Sequence, residues 1–162
     1  MLLFDDGCVA LNLKAENSKE VILLLSGLLE KKGAVSAKYG QAAFKRENSF
    51  PTGLPAKPFS IAFPHAGCEQ VYQSALAVAI LAEPVIFKSM EDPKIELPTR
   101  IVILLANASP DEQVKVLRQL VTILGKPQKL IELHSHKTMS DLVAWMRKEL
   151  KLVTNPCKDL PD

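Results

Sequence analysis

The stretch SALAVAIL, Ser74 to Leu81, decides the fold class of this chain. Both of its alternating sets, Leu76/Val78/Ile80 and Ala75/Ala77/Ala79/Leu81, are apolar, so it reads as a strand covered on both faces. Ile101 to Leu105 has the same character. Between them, Val85 to Phe87 reads as a short edge strand. Met90 to Pro98, with two prolines and three acidic residues, reads as a loop.

Helical periodicity lies on either side of these strands. Asn17 with Glu20 is a capping-box pattern, and Val21, Leu24, Leu25, Leu28 and Leu29 follow at helical spacing, which predicts an amphipathic helix over residues 18 to 32 before Gly33. A shorter helix is expected from about Ala37 to Arg46, although Gly40 weakens it. Ser49 to Pro58 holds Pro51, Gly53, Pro55 and Pro58 and reads as an ordered loop. Ser60 to Phe63 reads as a short strand that Pro64 stops, since proline has no N–H for the ladder. Ser109, Pro110 and Glu112 mark the start of a helix that runs to Gly125. Leu130 to Leu133 suggests a further short helix, and Thr138 with Asp141 starts the last one. The expectation is an α/β single-domain sandwich, a central mixed β-sheet flanked by helices, over residues 1–153, with a frayed tail at 154–162.

The 162 residues carry 20 basic and 18 acidic side chains, a formal charge of +2, so nothing supplies the dense basic face that nucleic acid requires. The longest apolar run, Ala75 to Ala82, falls far short of the roughly 20 residues of a membrane-spanning helix. Asp5 and Asp6 stand where a secretory signal would have its apolar stretch, so a cytoplasmic protein is expected. Cys8, Cys68 and Cys157 are isolated, with no C-x-x-C, and read as reduced, incidental thiols.

The candidate reactive groups are the three histidines, the cysteines and any charged residues that fold next to them. His65 follows an apolar strand and precedes Ala66 and Gly67, so its ring is expected at a strand end, exposed, with open backbone amides nearby. His134 and His136 fall between two predicted helices and read as a surface linker pair, and no third ligand completes a metal set with them. Cys68 lies too close in sequence to His65 for the convergent geometry of a Cys–His nucleophile pair. No G-x-S-x-G, Walker loop or dinucleotide glycine pattern is present.

The run RENSFPTGLPAKPFSIAFPHAG, Arg46 to Gly67, resembles the phosphorylation-site region of phosphotransferase-system enzyme IIA domains of the fructose/mannitol class. Arg46, Glu47, Thr52, Gly53, Ala62, Pro64 and His65 carry that resemblance, which extends over most of the chain. Phe50 to Gly53, and Pro110 to Gln113 leading into Leu117 and Leu120, look like the galactitol-specific branch. Mannitol and fructose members commonly have a second histidine where this chain has Gln113.

The resemblance implies a phosphocarrier with no metal, nucleotide or other cofactor. His65 would accept a phosphoryl group from phospho-HPr and pass it to a cysteine of enzyme IIB, serving uptake of a sugar or polyol such as galactitol. Neutral imidazole suits that step, being nucleophilic at neutral pH and a good leaving group once phosphorylated. Arg46 would stabilise the phosphate oxygens through its planar guanidinium. Gln113 is either an amide donor to the histidine or phosphate, or a solvent-facing residue. Thr52 either hydrogen-bonds the imidazole or braces the loop. Two other readings stand beside this one: a regulatory IIA-like domain that binds a protein according to its phosphorylation state, and a small metal-dependent hydrolase built on His65, His134 and His136.

Overall fold

A computed structural model describes residues 2–151, so the expected tail at 154–162, with Cys157, lies outside the described residues. Five strands form one mixed sheet in the order β1-β4-β5-β3-β2. They are β1 (Val9–Leu13), β2 (Gly53–Leu54), β3 (Ser60–Ala62), β4 (Ala75–Lys88) and β5 (Glu96–Ala106). The helices are α1 (Ser18–Lys31), α2 (Tyr39–Ser49), α3 (Pro110–Leu124), α4 (Pro127–Ser135) and α5 (Met139–Glu149). Pairing is parallel for β1/β4 and β3/β5 and antiparallel for β4/β5 and β2/β3.

The doubly apolar strands sit at the centre. Every residue from Ala75 to Leu81 and from Ile101 to Ala106 is buried, so helices must cover both faces there; α1 packs on β4 and β5, α3 on β5, and α5 on β1. Several elements differ from expectation. Val85–Phe87 is the continuation of β4, because β4 and β5 skip register between Ile80 and Val85 and then resume pairing as far as Lys88 with Glu96. Pro84 falls within that irregularity, where no ladder N–H is required. The end of the expected 90–98 loop is likewise strand, since β5 begins at Glu96. Two strands had no counterpart in the expectation: β1, and the two-residue β2 inside the proline-rich loop.

Helix ends follow the chemistry read from the sequence. The Asn17 side chain accepts from the Glu20 N–H at 3.0 Å, Ser109 from Glu112 at 3.2 Å and Thr138 from Asp141 at 3.2 Å, each satisfying an orphan donor of a first turn. The Glu112 carboxylate does not close a capping box; it accepts from the Ser74 hydroxyl at 2.7 Å, and so ties α3 to the start of β4. α2 runs to Ser49, and Gly40 near its start has a packing reason. A Cβ there would lie 2.9 Å from Leu23 Cδ2 and 3.0 Å from Ser26 Cβ on α1, so glycine permits the close approach of the two helices. α4 is longer than expected and takes His134 into its last turn, leaving His136 as its C-cap.

Gly53 meets the sheet even more closely, since a Cβ at this position would stand 2.4 Å from the Lys88 carbonyl oxygen. That neighbour is backbone and cannot swing aside. Gly53→Ala should therefore destabilise the protein by about 1–3 kcal/mol, as overpacking does. Urea denaturation checks this, and an unchanged midpoint would show that the Gly53–Leu54 strand is free to move away.

Candidate functional site

His65 stands at the end of β3, but Pro64 does not end the pairing there. The Leu105 N–H donates to the Pro64 carbonyl at 3.0 Å, and His65 itself forms an isolated parallel bridge with Leu105. Proline removes a donor and leaves its acceptor in place. The expected exposed ring is corrected accordingly, since His65 is only 8% exposed. Nor is the adjacent backbone open: the Ala66 N–H donates to the Tyr39 hydroxyl at 3.1 Å, and that hydroxyl donates to the Leu105 carbonyl. Burial pushes the Tyr39 pKa up to about 12, so the phenol stays protonated in this role.

The imidazole is held by its own strand. Nδ1 lies 2.9 Å from the Phe63 carbonyl, and a carbonyl only accepts, so Nδ1 carries the proton and Nε2 keeps the lone pair. Desolvation is the main cause that pushes the His65 pKa below its ordinary value. The Arg46 charge pushes the same way, and the Phe63 carbonyl opposes both. The result is a neutral imidazole with a defined tautomer. Arg46, in the last turn of α2, thus lies within electrostatic reach of His65; its guanidinium is 5.2 Å from the Phe50 ring centre.

Thr52 braces the loop and makes no hydrogen bond to the imidazole among the described residues. Its backbone N–H and hydroxyl donate to the two carboxylate oxygens of Glu47 at 2.9 and 2.8 Å. The same hydroxyl oxygen accepts from the Phe63 N–H at 3.2 Å. The chain Glu47, Thr52, Phe63, His65 is therefore continuous, and it crosses from α2 through the proline-rich loop to the strand end. Glu47 is 6% exposed, and its burial raises its carboxyl pKa against the two Thr52 bonds and the Arg46 charge.

Gln113 sits half-buried in the first turn of α3, which follows the His65 end of β5, and its side chain makes no hydrogen bond among the described residues. Cys68 lies in a single helical turn past His65 and is likewise not bonded to it. Nor do His134 and His136 join His65: they line a separate pocket with Arg100, toward the N-terminal half of β5. The three histidines of the hydrolase reading are thus not one cluster.

Three residues were missed by sequence reasoning or underread. Glu47 and Tyr39 carry the loop and strand-end bonds described above. Asn107, just past β5, is fully buried and neither of its amide atoms finds a partner among the described residues. Its only signal was its position, a polar residue closing an apolar strand. No comparable mark set Tyr39 apart.

The family model described as "Phosphoenolpyruvate-dependent sugar phosphotransferase system, EIIA 2" matches residues 2–149. The galactitol-specific EIIA component of Escherichia coli strain K12 is 32% identical over 110 residues, covering 67% of this chain and 71% of that protein. Among solved structures, the Escherichia coli complex of the mannitol enzyme IIA with its phosphorylated enzyme IIB is 27% identical with a TM-score of 0.72, covering 93% of this chain and 99% of the other. The crystal structure of the mannitol IIA from Escherichia coli is 26% identical with a TM-score of 0.73, covering 90% and 99%. A buried, neutral histidine beside an arginine, on a fold shared with these proteins over nearly its whole length, needs no other family to account for it: the chain belongs to the EIIA 2 family of the phosphoenolpyruvate-dependent sugar phosphotransferase system and is a phosphotransferase component, a phosphocarrier.

Proposed function

We propose that His65 is the phosphoryl acceptor, through Nε2, with phospho-HPr as donor and a cysteine of enzyme IIB as the next carrier, in the cytoplasmic steps of uptake of galactitol or a similar polyol. The observation that carries this reading is the bond between Nδ1 and the Phe63 carbonyl, which leaves Nε2 as the nucleophile. The Nε2 lone pair forms the new P–N bond as the donor's bond to phosphorus breaks. The ring then becomes a phosphoimidazolium whose Nδ1–H points at a carbonyl dipole, and that contact stabilises the positive charge as it develops. In donation the IIB thiolate forms a P–S bond as the P–Nε2 bond breaks, and the electron pair returning to Nε2 leaves the ring neutral. The mannitol IIA and phosphorylated IIB complex among the structural relatives supports the choice of acceptor class.

Arg46 neutralises the phosphoryl oxygens, and the Gln113 amide donates to them from the first turn of α3. Incubation with phosphoenolpyruvate, enzyme I and HPr should add one phosphoryl group at His65 by mass spectrometry. His65→Ala should abolish acceptance and keep the fold. Arg46→Lys should slow acceptance at least about tenfold, since a point charge cannot reproduce the guanidinium fork. Gln113→Ala should slow it by no more than about tenfold, the value of one neutral hydrogen bond. Phosphorylation of the His65→Ala protein would refute the assignment.

Thr52→Val removes the hydroxyl that joins Glu47 to Phe63, leaving two buried groups short of a partner. A loss of about 1–3 kcal/mol of stability is expected, with slower phosphoryl acceptance because the His65 strand end loses its brace. Urea unfolding and stopped-flow transfer measure the two effects; wild-type values in both would leave Thr52 as an ordinary turn residue.

The pH dependence follows from the direction of the His65 shift. Only the neutral ring attacks, and the folded pKa lies below the ordinary value of about 6.5. Acceptance should therefore reach the midpoint of its acid limb only below about pH 6.5. Stability carries the same sign, since the unfolded chain takes up this proton first: the His65 contribution is intact above about pH 6.5 and erodes as pH falls toward the folded value. A pH–rate profile with its acid limb at or above 6.5 would contradict this.

A further inference from the structure

The end of the sheet away from His65 carries a second gathering of nitrogen groups. A pocket of about 320 Å³ opens there against β1, β4 and β5, and its polar lining is Asn12, Arg100, His134, His136 and Lys137, with no carboxylate among the described residues. Arg100 stands five residues before Leu105 on β5, roughly 17 Å along the strand from the His65 bridge at ~3.3 Å per residue. The pocket is therefore separate from the phosphocarrier site.

These groups lack counter-charges. The Arg100 guanidinium makes one hydrogen bond among the described residues, a long one from Nη1 to the Ala82 carbonyl at 3.5 Å, although it has five N–H donors. Neither Arg100 nor Lys137 joins any of the ion pairs found there. Desolvation and, after it, the Arg100 charge push the His134 pKa down, the behaviour of an imidazole placed beside a cation with nothing to balance it. Asn12 reaches the rim from an irregularity in β1, at a positive φ of 51°. A bound anion would relieve the repulsion among these groups.

A second cavity of about 500 Å³ adjoins the first and shares Arg100 with it. Its wall includes Pro55, Pro58, Pro84, Leu97 and Pro98. Phe59 belongs to the same wall, and its ring centre lies 4.7 Å from that of His134. Cationic donors thus stand at one side of Arg100, and at the other a largely apolar surface that Lys57 and Ser60 also line. Both volumes are in the range of small-ligand sites.

We propose that the two cavities form one binding site for a small phosphate ester, with its phosphate among Arg100, His134, His136 and Lys137 and its apolar body against the proline-lined wall. The donors come from β5, from the end of α4 and from the two residues beyond it, so they surround a volume. A tetrahedral phosphate presents oxygens in several directions to such donors, whereas a carboxylate offers two in one plane.

The test titrates the full chain with phenyl phosphate, inorganic phosphate and benzoate, following the His134 and His136 imidazole resonances by NMR together with the melting temperature. Phenyl phosphate should saturate both resonances and raise the melting temperature, binding at least about tenfold more tightly than benzoate and more tightly than inorganic phosphate. Arg100→Gln should weaken it about tenfold or more. Lys137→Gln, a change at an exposed position, should weaken it by a smaller factor and guards against a folding defect at Arg100. Binding should survive His65→Ala, which keeps this result independent of the phosphocarrier assignment. Absence of saturable shifts at His134 and His136, equal affinity for benzoate or for inorganic phosphate, or loss of binding in His65→Ala would each overturn the proposal.

Discussion

The hydrogen bond from the Leu105 N–H to the Pro64 carbonyl, at 3.0 Å, joins the His65 end of this molecule to its core. β3 has only three residues, too few to hold a loop in place by themselves. What holds it is the neighbour: Ile101 to Ala106 of β5 are buried and paired in unbroken register with Ala75 to Ile80 of β4, so the strand cannot shift without breaking that ladder and its packing on both faces. The pairing that passes Pro64 therefore carries the rigidity of the sheet centre to His65. A proline at this point ends the donation of N–H groups along β3 without ending the strand's attachment.

Three further contacts converge on the same short segment, two from other elements and one from within it. Tyr39 at the start of α2 takes the Ala66 N–H, Thr52 takes the Phe63 N–H, and the Phe63 carbonyl takes the ring proton of His65. Backbone groups that open loops would leave to water are thus satisfied inside the protein. The imidazole is then fixed in both orientation and tautomer before any partner arrives. That preorganisation is what a transfer reaction with little covalent work for the protein depends on.

Much of this could be read from residues alone, and the omissions have physical causes. Helix starts were legible because Asn17, Ser109 and Thr138 are cap residues whose side chains have one local task. The central strands were legible because burial on both faces leaves a continuous apolar run. β1 was not, since its burial is partial and Asn12 interrupts the extended backbone. β4 looked shorter than it is because Glu83 and Pro84 fall where its pairing with β5 is irregular, and composition does not reveal a tolerated break. Pro98 misled in the same way. It pairs with Ile86 on one side, and β3 pairing begins only at Thr99. At the site, His65, Arg46 and Thr52 were marked by motif, but the burial of His65 depends on β5 and α2, which no local window contains. Tyr39 escaped notice for the same reason, as its two backbone partners are 27 and 66 residues away.

The neighbouring residues Arg46 and Glu47 show how the loop sets the electrostatics of the site. An arginine beside a glutamate at a helix end would ordinarily find its counter-charge nearby, which would cancel its field at His65. Here both Glu47 oxygens are taken by Thr52, and among the described residues Arg46 joins no ion pair. Its charge therefore does two things at once. It adds to the desolvation that disfavours a proton on the imidazole, and in the proposed transfer it would attract the phosphoryl group that His65 accepts. A carboxylate facing His65 would reverse both effects, protonating the ring and repelling the phosphate. Holding Glu47 on Thr52 thus joins the bracing of the loop to the polarity of the site, and a change at Thr52 acts on both.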